Sequence, residues 1–164
     1  MAKEARIFSL VQELGQCIVV VEEVDGPHLV PIWIGIFEGS AIAAQLIGEK
    51  FPRPMTHDLV MNIIKDIGAV IERVTITDLK DNSYYAEISI KQNGKAWVID
   101  SRPSDAMALA VRAQCPIFIE ERVLEKCPEM LKPITKEEAD KLKKELQNMT
   151  PEDFFRGLKN KDVK

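Results

Sequence analysis

Two short segments of the sequence place arginine, proline and aspartate close together. The first is RPMTHD, which runs from Arg53 to Asp58, and the second is RPSD, which runs from Arg102 to Asp105. A planar guanidinium can bind two phosphate oxygens at once, and a carboxylate can orient that guanidinium or bind a hard cation. These residue types at this spacing make the two segments candidates for binding a ligand or for a reaction.

His57 lies inside the first segment and is one of only two histidines in the chain. An imidazole titrates nearest to neutral pH, so His57 is suited to act as a general acid or base. Asp100 and Ser104 crowd the turn of the second segment, and Glu38 occupies the corresponding turn earlier in the chain. Polar groups gathered where strands give way to helices are typical of binding and reaction sites.

A structural interpretation of the same residues stays open. Each proline precedes residues suited to begin a helix, so Thr56 or Asp58 would cap one helix and Ser104 or Asp105 the other. Each arginine would then pair with an acid. Capping leaves His57 without a function, because neither a cap nor an apolar core requires an imidazole.

The elements that must position these residues follow a repeated order. Three segments rich in Val, Ile and aromatic residues are followed by one segment typical of a helix, and this order occurs twice. The first set is RIFSLV, QCIVVVEE, HLVPIWIG and EGSAIAAQLIGEK; the second is ERVTITDL, SYYAEISIK, KAWVIDS and SDAMALAVRAQ. Aligning the two helices sets Glu38 against Asp105. We therefore predict an α+β fold with a mixed β-sheet and a duplicated strand-strand-strand-helix unit.

Further elements lie between and after the two units. Apolar residues at helical spacing from Leu59 to Ile67 predict a helix, and CPIFIE predicts a strand that joins the sheet. Trp33 and Trp97 lie near the ends of the two third strands and are expected in the core, because apolar strands usually bury their tryptophan.

The C-terminal part of the sequence predicts two short amphipathic helices. Thr135 and Glu138 form the pattern of a capping box at the start of the first. We predict a domain over residues 1–132 and a C-terminal helical tail over residues 133–164. The tail is expected to dock through Phe154, Phe155 and Leu158.

Composition limits the classes of function. The formal net charge is −4, and residues 1–119 carry 15 acidic against 11 basic side chains, so the sequence lacks the basic run typical of nucleic-acid binding. The three cysteines are far apart, which argues against a zinc site and favours reduced thiols. No segment approaches the roughly 20 apolar residues of a membrane span. We expect a soluble, cytoplasmic protein.

Four blocks of the sequence together resemble the bifunctional nuclease domain family, whose bacterial and plant members are described as acting on both DNA and RNA. In order along the chain, the blocks are VPIWIGIFEGSAIA, FPRPMTHDLV, LKDNSYYAEI and IDSRPSDAMALAVRAQCPIF. The resemblance covers roughly residues 5–120. It implies a nuclease of low sequence specificity with an α+β fold built from related halves, and a homo-oligomer, with a dimer as the first expectation.

The resemblance also implies which positions form the site. General physical chemistry then suggests what each of them does. We expect catalysis from His57, Asp58 and Asp105; substrate binding by Arg53, Arg102 and Ser104; and binding of a metal, Mg²⁺ or Mn²⁺, by Glu38 and Asp100. The alternative is a non-enzymatic oligomeric module that binds an anionic ligand or a protein partner, in which the arginines and acids form structural ion pairs.

Overall fold

A computed structural model describes residues 1–161 of the chain, with side chains as far as Gly157. The strands are β1 Ala2–Glu13, β2 Gln16–Glu23, β3 Leu29–Ile34, β4 Ala69–Lys80, β5 Ser83–Gln92, β6 Lys95–Ser101 and β7 Ile117–Glu120. The helices are α1 Ile36–Leu46, α2 Thr56–Asp66, α3 Pro103–Ala113, α4 Glu121–Lys126, α5 Lys136–Gln147 and α6 Pro151–Lys161. These bounds confirm the predicted repetition of three strands and a helix.

All seven strands form one sheet in the order β3-β2-β1-β7-β4-β5-β6. The short strand β7 lies at its centre, antiparallel to β1 and parallel to β4. On either side of β7, each unit of three strands runs outward to the edge of the sheet through antiparallel pairs. The predicted α+β fold with a mixed sheet is confirmed.

The helices α1 and α3 that end the two units pack against each other, and α2 packs on α3. Apolar side chains drive this packing, since Ile42 of α1 and Met107 of α3 are fully buried. Gly39 allows α1 to approach the sheet closely, because a β-carbon there would collide with the Cys17 side chain of β2. None of the helices within residues 1–161 is long and apolar enough to cross a membrane.

The C-terminal helices pack on the first unit, and α6 also contacts β5 of the second unit. Leu146 of α5 is buried against β1 and β2, and the Phe154 ring of α6 lies 5.5 Å from the Trp33 ring, centroid to centroid. Phe155 is buried beside Tyr84. The predicted docking through the two phenylalanines is confirmed, whereas the side chain of Leu158 lies outside the described residues.

The two edge strands of the sheet differ in how they are covered. Trp33 on β3 is partly buried and its ring packs against Phe154 of α6, whereas Trp97 on β6 is 52% exposed. The expectation that Trp97 is a core residue was therefore wrong. A strand buries its tryptophan only where another element packs over that face, and β6 makes few contacts outside its own sheet.

Candidate active site

Three helices begin around one cavity, and each carries an acid at its third position. These acids are Glu38 in α1, Asp58 in α2 and Asp105 in α3. The free N–H groups and the dipole at a helix start favour negative charge there. The fold therefore gathers three carboxylates that helix starts stabilise.

The cavity has a volume of about 340 Å³ and is lined by both charged and apolar side chains. Its titratable lining comprises Glu38, His57, Arg102, Asp105 and Arg112. Exposed apolar side chains, among them Phe37, Phe51 and Met55, form another part of the lining. Two acids and two arginines balance the charge of this surface, although residues 1–119 as a whole are acidic.

Arg102 links the two duplicated units through their acids. Its Nε–H donates to Oδ2 of Asp105 at 2.9 Å, and its Nη1 donates to Oε1 of Glu38 at 3.2 Å. The hydrogen bond to Asp105, with that carboxylate's charge, raises the pKa of Arg102 above its ordinary value. The Arg102 side chain is nevertheless 64% exposed. A guanidinium has five N–H donors, so three remain for a ligand.

His57 and Asp105 form a hydrogen-bonded pair across α2 and α3. The imidazole Nε2 lies 2.8 Å from Oδ1 of Asp105, and the His57 side chain is only 13% exposed. Burial raises the pKa of Asp105, but hydrogen bonds from Arg102 and His57 outweigh this effect, and the pKa lies below its ordinary value. An ionised carboxylate can only accept a hydrogen bond, so Nε2 donates to Asp105 and Nδ1 is left for another partner.

Asp58 pairs with Arg112 of α3, a residue that the sequence analysis did not select. The Arg112 Nε–H donates to Oδ1 of Asp58 at 2.8 Å, and the arginine side chain is only 7% exposed. The hydrogen bond from Arg112, with one from the Met55 N–H, lowers the pKa of Asp58. Arg112 follows Asp105 by seven positions, about two helical turns, so the spacing placed both on one face of α3.

The predicted helix caps are partly confirmed. Met55 is the N-cap residue of α2, and its N–H donates to Oδ2 of Asp58 at 3.0 Å, so Asp58 does satisfy this helix start. Arg102 is the N-cap residue of α3, and no side chain forms a capping hydrogen bond there. The prediction that Ser104 or Asp105 caps this helix was therefore wrong. Pro103 begins the helix one residue earlier than expected, because its fixed φ suits the first helical position.

The remaining predicted site residues lie around this centre. Arg53 is exposed in the loop before α2, and its sequence neighbour Asp58 pairs with Arg112 instead. Asp100 lies on β6, in an adjoining cavity of about 450 Å³ that also includes Arg102 and Asp105. Ser104 is buried and lines a third cavity, of about 520 Å³, beside Trp33. Arg102 borders all three cavities.

The two predicted metal ligands do not share a cavity. Glu38 lines the cavity that holds His57, whereas Asp100 lines the adjoining one. In the part of the chain that the structure describes, no three side chains of His, Cys, Asp or Glu are grouped as a metal site requires. Binding of Mg²⁺ or Mn²⁺ by Glu38 and Asp100 stays a prediction.

Comparison with known proteins gives one family and several relatives. The bifunctional nuclease domain matches residues 19–132. An uncharacterized protein of Mycobacterium tuberculosis is 35% identical over 152 residues, which cover 87% of this chain and 91% of that protein. Bifunctional nuclease 1 of Oryza sativa subsp. japonica is 27% identical over 109 residues, which cover 64% of this chain and 33% of the plant protein. Bifunctional nuclease 2 of Arabidopsis thaliana is 27% identical over 105 residues, which cover 62% of this chain and 32% of that protein. The chain thus spans about a third of the length of these plant relatives.

Proposed function

Because this chain belongs to the bifunctional nuclease domain family, we propose that it hydrolyses phosphodiester bonds of DNA and RNA with low sequence specificity. The observation that carries the proposal is the placement of His57, Arg102 and Asp105 in one open cavity. The three side chains are joined by hydrogen bonds of 2.8 and 2.9 Å. They supply a general base, a binding group for phosphate and an orienting carboxylate.

His57 acts as the general base in this proposal. Asp105 holds the Nε2–H and fixes the ring, so Nδ1 takes a proton from the attacking water. The developing imidazolium is stabilised by the ionised Asp105 at 2.8 Å. The water oxygen then bonds to phosphorus, and the leaving oxygen departs with a proton from His57 or from solvent.

Arg102 binds the scissile phosphate. Its three uncommitted N–H groups can donate to the phosphate oxygens, at least two of which carry negative charge. This charge increases in the phosphorane-like transition state. Glu38 and Asp105 hold the guanidinium from two sides. Both carboxylates are therefore positioning residues for Arg102, and the exposed Phe37 and Phe51 provide surfaces on which bases can stack.

Asp58 is assigned a supporting function in this mechanism. Both of its oxygens accept hydrogen bonds, from Arg112 and from the Met55 N–H. It therefore anchors the start of α2, and with it His57, against α3. Direct participation of Asp58 in the reaction would require one of these bonds to open.

A second candidate function is a binding module for an anionic ligand or a protein partner. It is favoured by the ion pairs of the site, since Asp58, Asp105 and Glu38 each pair with an arginine. Arg112 is buried in its pair, as a structural arginine would be. Arg102, by contrast, is largely exposed, and that exposure favours the nuclease.

We also propose an oligomeric state, a location and a domain division for this chain. The chain forms a homo-oligomer, it is located in the cytoplasm, and residues 1–132 form a domain to which residues 133–164 attach as a tail. The match of the family over residues 19–132 supports the domain boundary. Three free cysteines favour a reducing compartment.

The test is cleavage of fluorescent single-stranded DNA and RNA by the wild type, His57→Ala and His28→Ala. His28 is the matched control, because it is the other histidine and also hydrogen bonds to an acid, Glu23, at 2.8 Å. We expect a loss of about a hundredfold in His57→Ala and none in His28→Ala. Assays with Mg²⁺, Mn²⁺ and EDTA test the metal requirement. No cleavage by folded wild type would favour the binding module, and equal cleavage by all three proteins would remove His57 from the mechanism.

A further inference from the structure

The two edges of the sheet differ in their protection against pairing with another chain. The edge strand β3 carries Pro31 at its middle, and proline blocks the backbone pairing of an edge. The other edge strand, β6, has no proline, and its centre is exposed, with Trp97 at 52%, Val98 at 64% and Ile99 at 46%. A long apolar edge without such protection is a template for a further strand.

We propose that β6 pairs antiparallel with β6 of a second copy of this chain, about a two-fold axis at Val98. A two-fold axis between antiparallel strands must stand perpendicular to the sheet, so each face continues across both copies. The register centred on Val98 pairs all seven residues of the strand. Lys95 then lies opposite the partner's Ser101, and Trp97 lies opposite the partner's Ile99.

The apolar residues favour this register. Within one copy, Trp97 lies opposite Ile90 of β5, and Ile99 lies opposite Ile88. Pairing about Val98 joins these into a row of four apolar side chains across two copies: Ile90, Trp97, the partner's Ile99 and the partner's Ile88. Aromatic and β-branched pairs of this kind stabilise sheets. A register centred on Trp97 would instead set Lys95 against the partner's Ile99.

The charges favour the same register. Glu87 and Asp100 lie directly opposite each other on β5 and β6, and like charges in this position are destabilising. Pairing about Val98 sets the partner's Ala96 against Asp100, and the partner's Lys91 lies behind that small residue. Lys91 pairs with Glu72 in its own copy, at 2.9 Å. Its long side chain can also reach past Ala96 toward Asp100 and Glu87 of the other copy.

The pairing also changes the candidate active site, a consequence that rests on the proposed nuclease function. Ser101 and Asp100 line the cavity of about 450 Å³ that includes Arg102 and Asp105. With the partner's Lys95 opposite Ser101, a cation enters the rim of this cavity from the second copy. An added positive charge beside Arg102 suits a polyanionic substrate on an otherwise acidic chain.

The first test is sedimentation velocity of the wild type and two lysine variants over a range of protein concentrations. Val98→Lys places two like charges at the two-fold axis. Val70→Lys is the matched control, because Val70 is 63% exposed on β4, an interior strand. We expect the wild type and Val70→Lys to form dimers as concentration rises, as small interfaces do, and Val98→Lys to stay monomeric. A monomeric wild type, or a dimeric Val98→Lys, would overturn the proposal.

The second test fixes the register and does not depend on a lysine substitution. Val98→Cys should form a disulfide-linked dimer on mild oxidation of the folded protein, because the two residues face each other at the axis. Asp100→Cys, on the same face and two residues along, should not, and the wild type measures the background from its own three cysteines. Equal crosslinking of the two variants, or crosslinking of neither, would overturn the register.

Mixing His57→Ala with Lys95→Ala tests the shared site. A mixed dimer has one intact site if each Lys95 serves its partner. With random exchange of subunits, cleavage by a 1:1 mixture should therefore exceed the average of the two variants alone by about a quarter of the difference between wild type and Lys95→Ala. No recovery would show that Lys95 does not serve the partner. Dimerisation without any cleavage by the wild type would leave the pairing intact and overturn the proposed nuclease function instead.

Discussion

The two duplicated units of this protein share an architecture but differ at the start of their final helices. Both α1 and α3 carry an acid at the third position, Glu38 in one and Asp105 in the other. The residue before the helix is Gly35 in the first unit and Arg102 in the second. The second unit therefore supplies a cation that binds both acids. At these equivalent positions, the difference between Gly35 and Arg102 supplies the guanidinium of the candidate site.

The helix α2 has no counterpart in the duplication, and it completes this site. It brings His57 to Asp105 and is itself anchored to α3 through Asp58 and Arg112. The edges of the sheet are also asymmetric, since α6 packs on Trp33 of β3, whereas the centre of β6 is exposed. The second unit thus carries both the proposed chemistry and the proposed contact with a second copy.

The largest effect is expected from Arg102→Gly, which makes the second unit resemble the first at this position. Loss of the guanidinium should lower kcat/KM for oligonucleotide cleavage by roughly a hundredfold to a thousandfold, as removal of a preorganised charge donor does. Arg122→Ala is the control, because Arg122 is exposed on α4 and lines none of the three cavities that Arg102 borders. An equal loss in both variants would contradict the assignment of Arg102.

Asp58→Ala should mainly affect stability. The substitution removes the carboxylate that pairs with Arg112, whose side chain is only 7% exposed. Because a buried guanidinium is then left unpaired, we expect the free energy of unfolding to fall by about 2 kcal/mol. Urea denaturation measures this change. Asp66→Ala, at the exposed end of the same helix, should differ little from the wild type, and a similar loss in both would show that the Arg112 pair contributes nothing.

Gly39→Ala tests the difference in helix packing between the two units. The alignment of the helices sets Gly39 against Ala106, which the second unit accommodates in a buried position. In α1 the added methyl group would collide with Cys17, so we expect a loss of about 1–2 kcal/mol in the free energy of unfolding. The double variant Gly39→Ala with Cys17→Ala should recover part of this loss. An unchanged or raised melting temperature in Gly39→Ala alone would contradict the close approach.

The smallest effect concerns pH. The pKa of Asp58 is lowered from its ordinary value of 3.8 in the folded protein, so this group stabilises the fold above about pH 4 and loses that contribution as pH falls through the folded-state pKa. Since Asp58 is 37% exposed, the contribution should stay below about 1 kcal/mol. Denaturation between pH 5 and pH 3 should show a smaller decline in stability for Asp58→Asn than for the wild type. Identical declines would contradict a lowered pKa.

Much of the fold could be predicted because its determinants are local. The segment KAWVIDS predicted β6 with its observed bounds, and Thr135 with Glu138 forms the predicted capping box, with the Glu138 N–H donating to Thr135 Oγ1 at 3.1 Å. Local patterns suffice there, because turn residues and apolar periodicity act over a few neighbours.

The rest depends on contacts between distant segments. The sequence pattern suggested only that each arginine of the two segments pairs with an acid, and it did not indicate that Asp58 pairs with Arg112, 54 positions away. The composition of β6 predicted a buried Trp97, but burial depends on whether another element covers the edge. Likewise, the bond between His57 and Asp105 requires α2 to pack on α3, which neither segment specifies alone.

The most direct test of the central claim is a double-mutant cycle of cleavage rates for His57→Ala, Arg102→Gly and the two combined. If His57, Asp105 and Arg102 act as one unit, the double variant should be about as slow as the slower single variant, because removing one member already disables the unit. Melting temperatures establish that all four proteins are folded. If the two losses multiply instead, the side chains act independently, and the account of a single site joined by Asp105 is wrong.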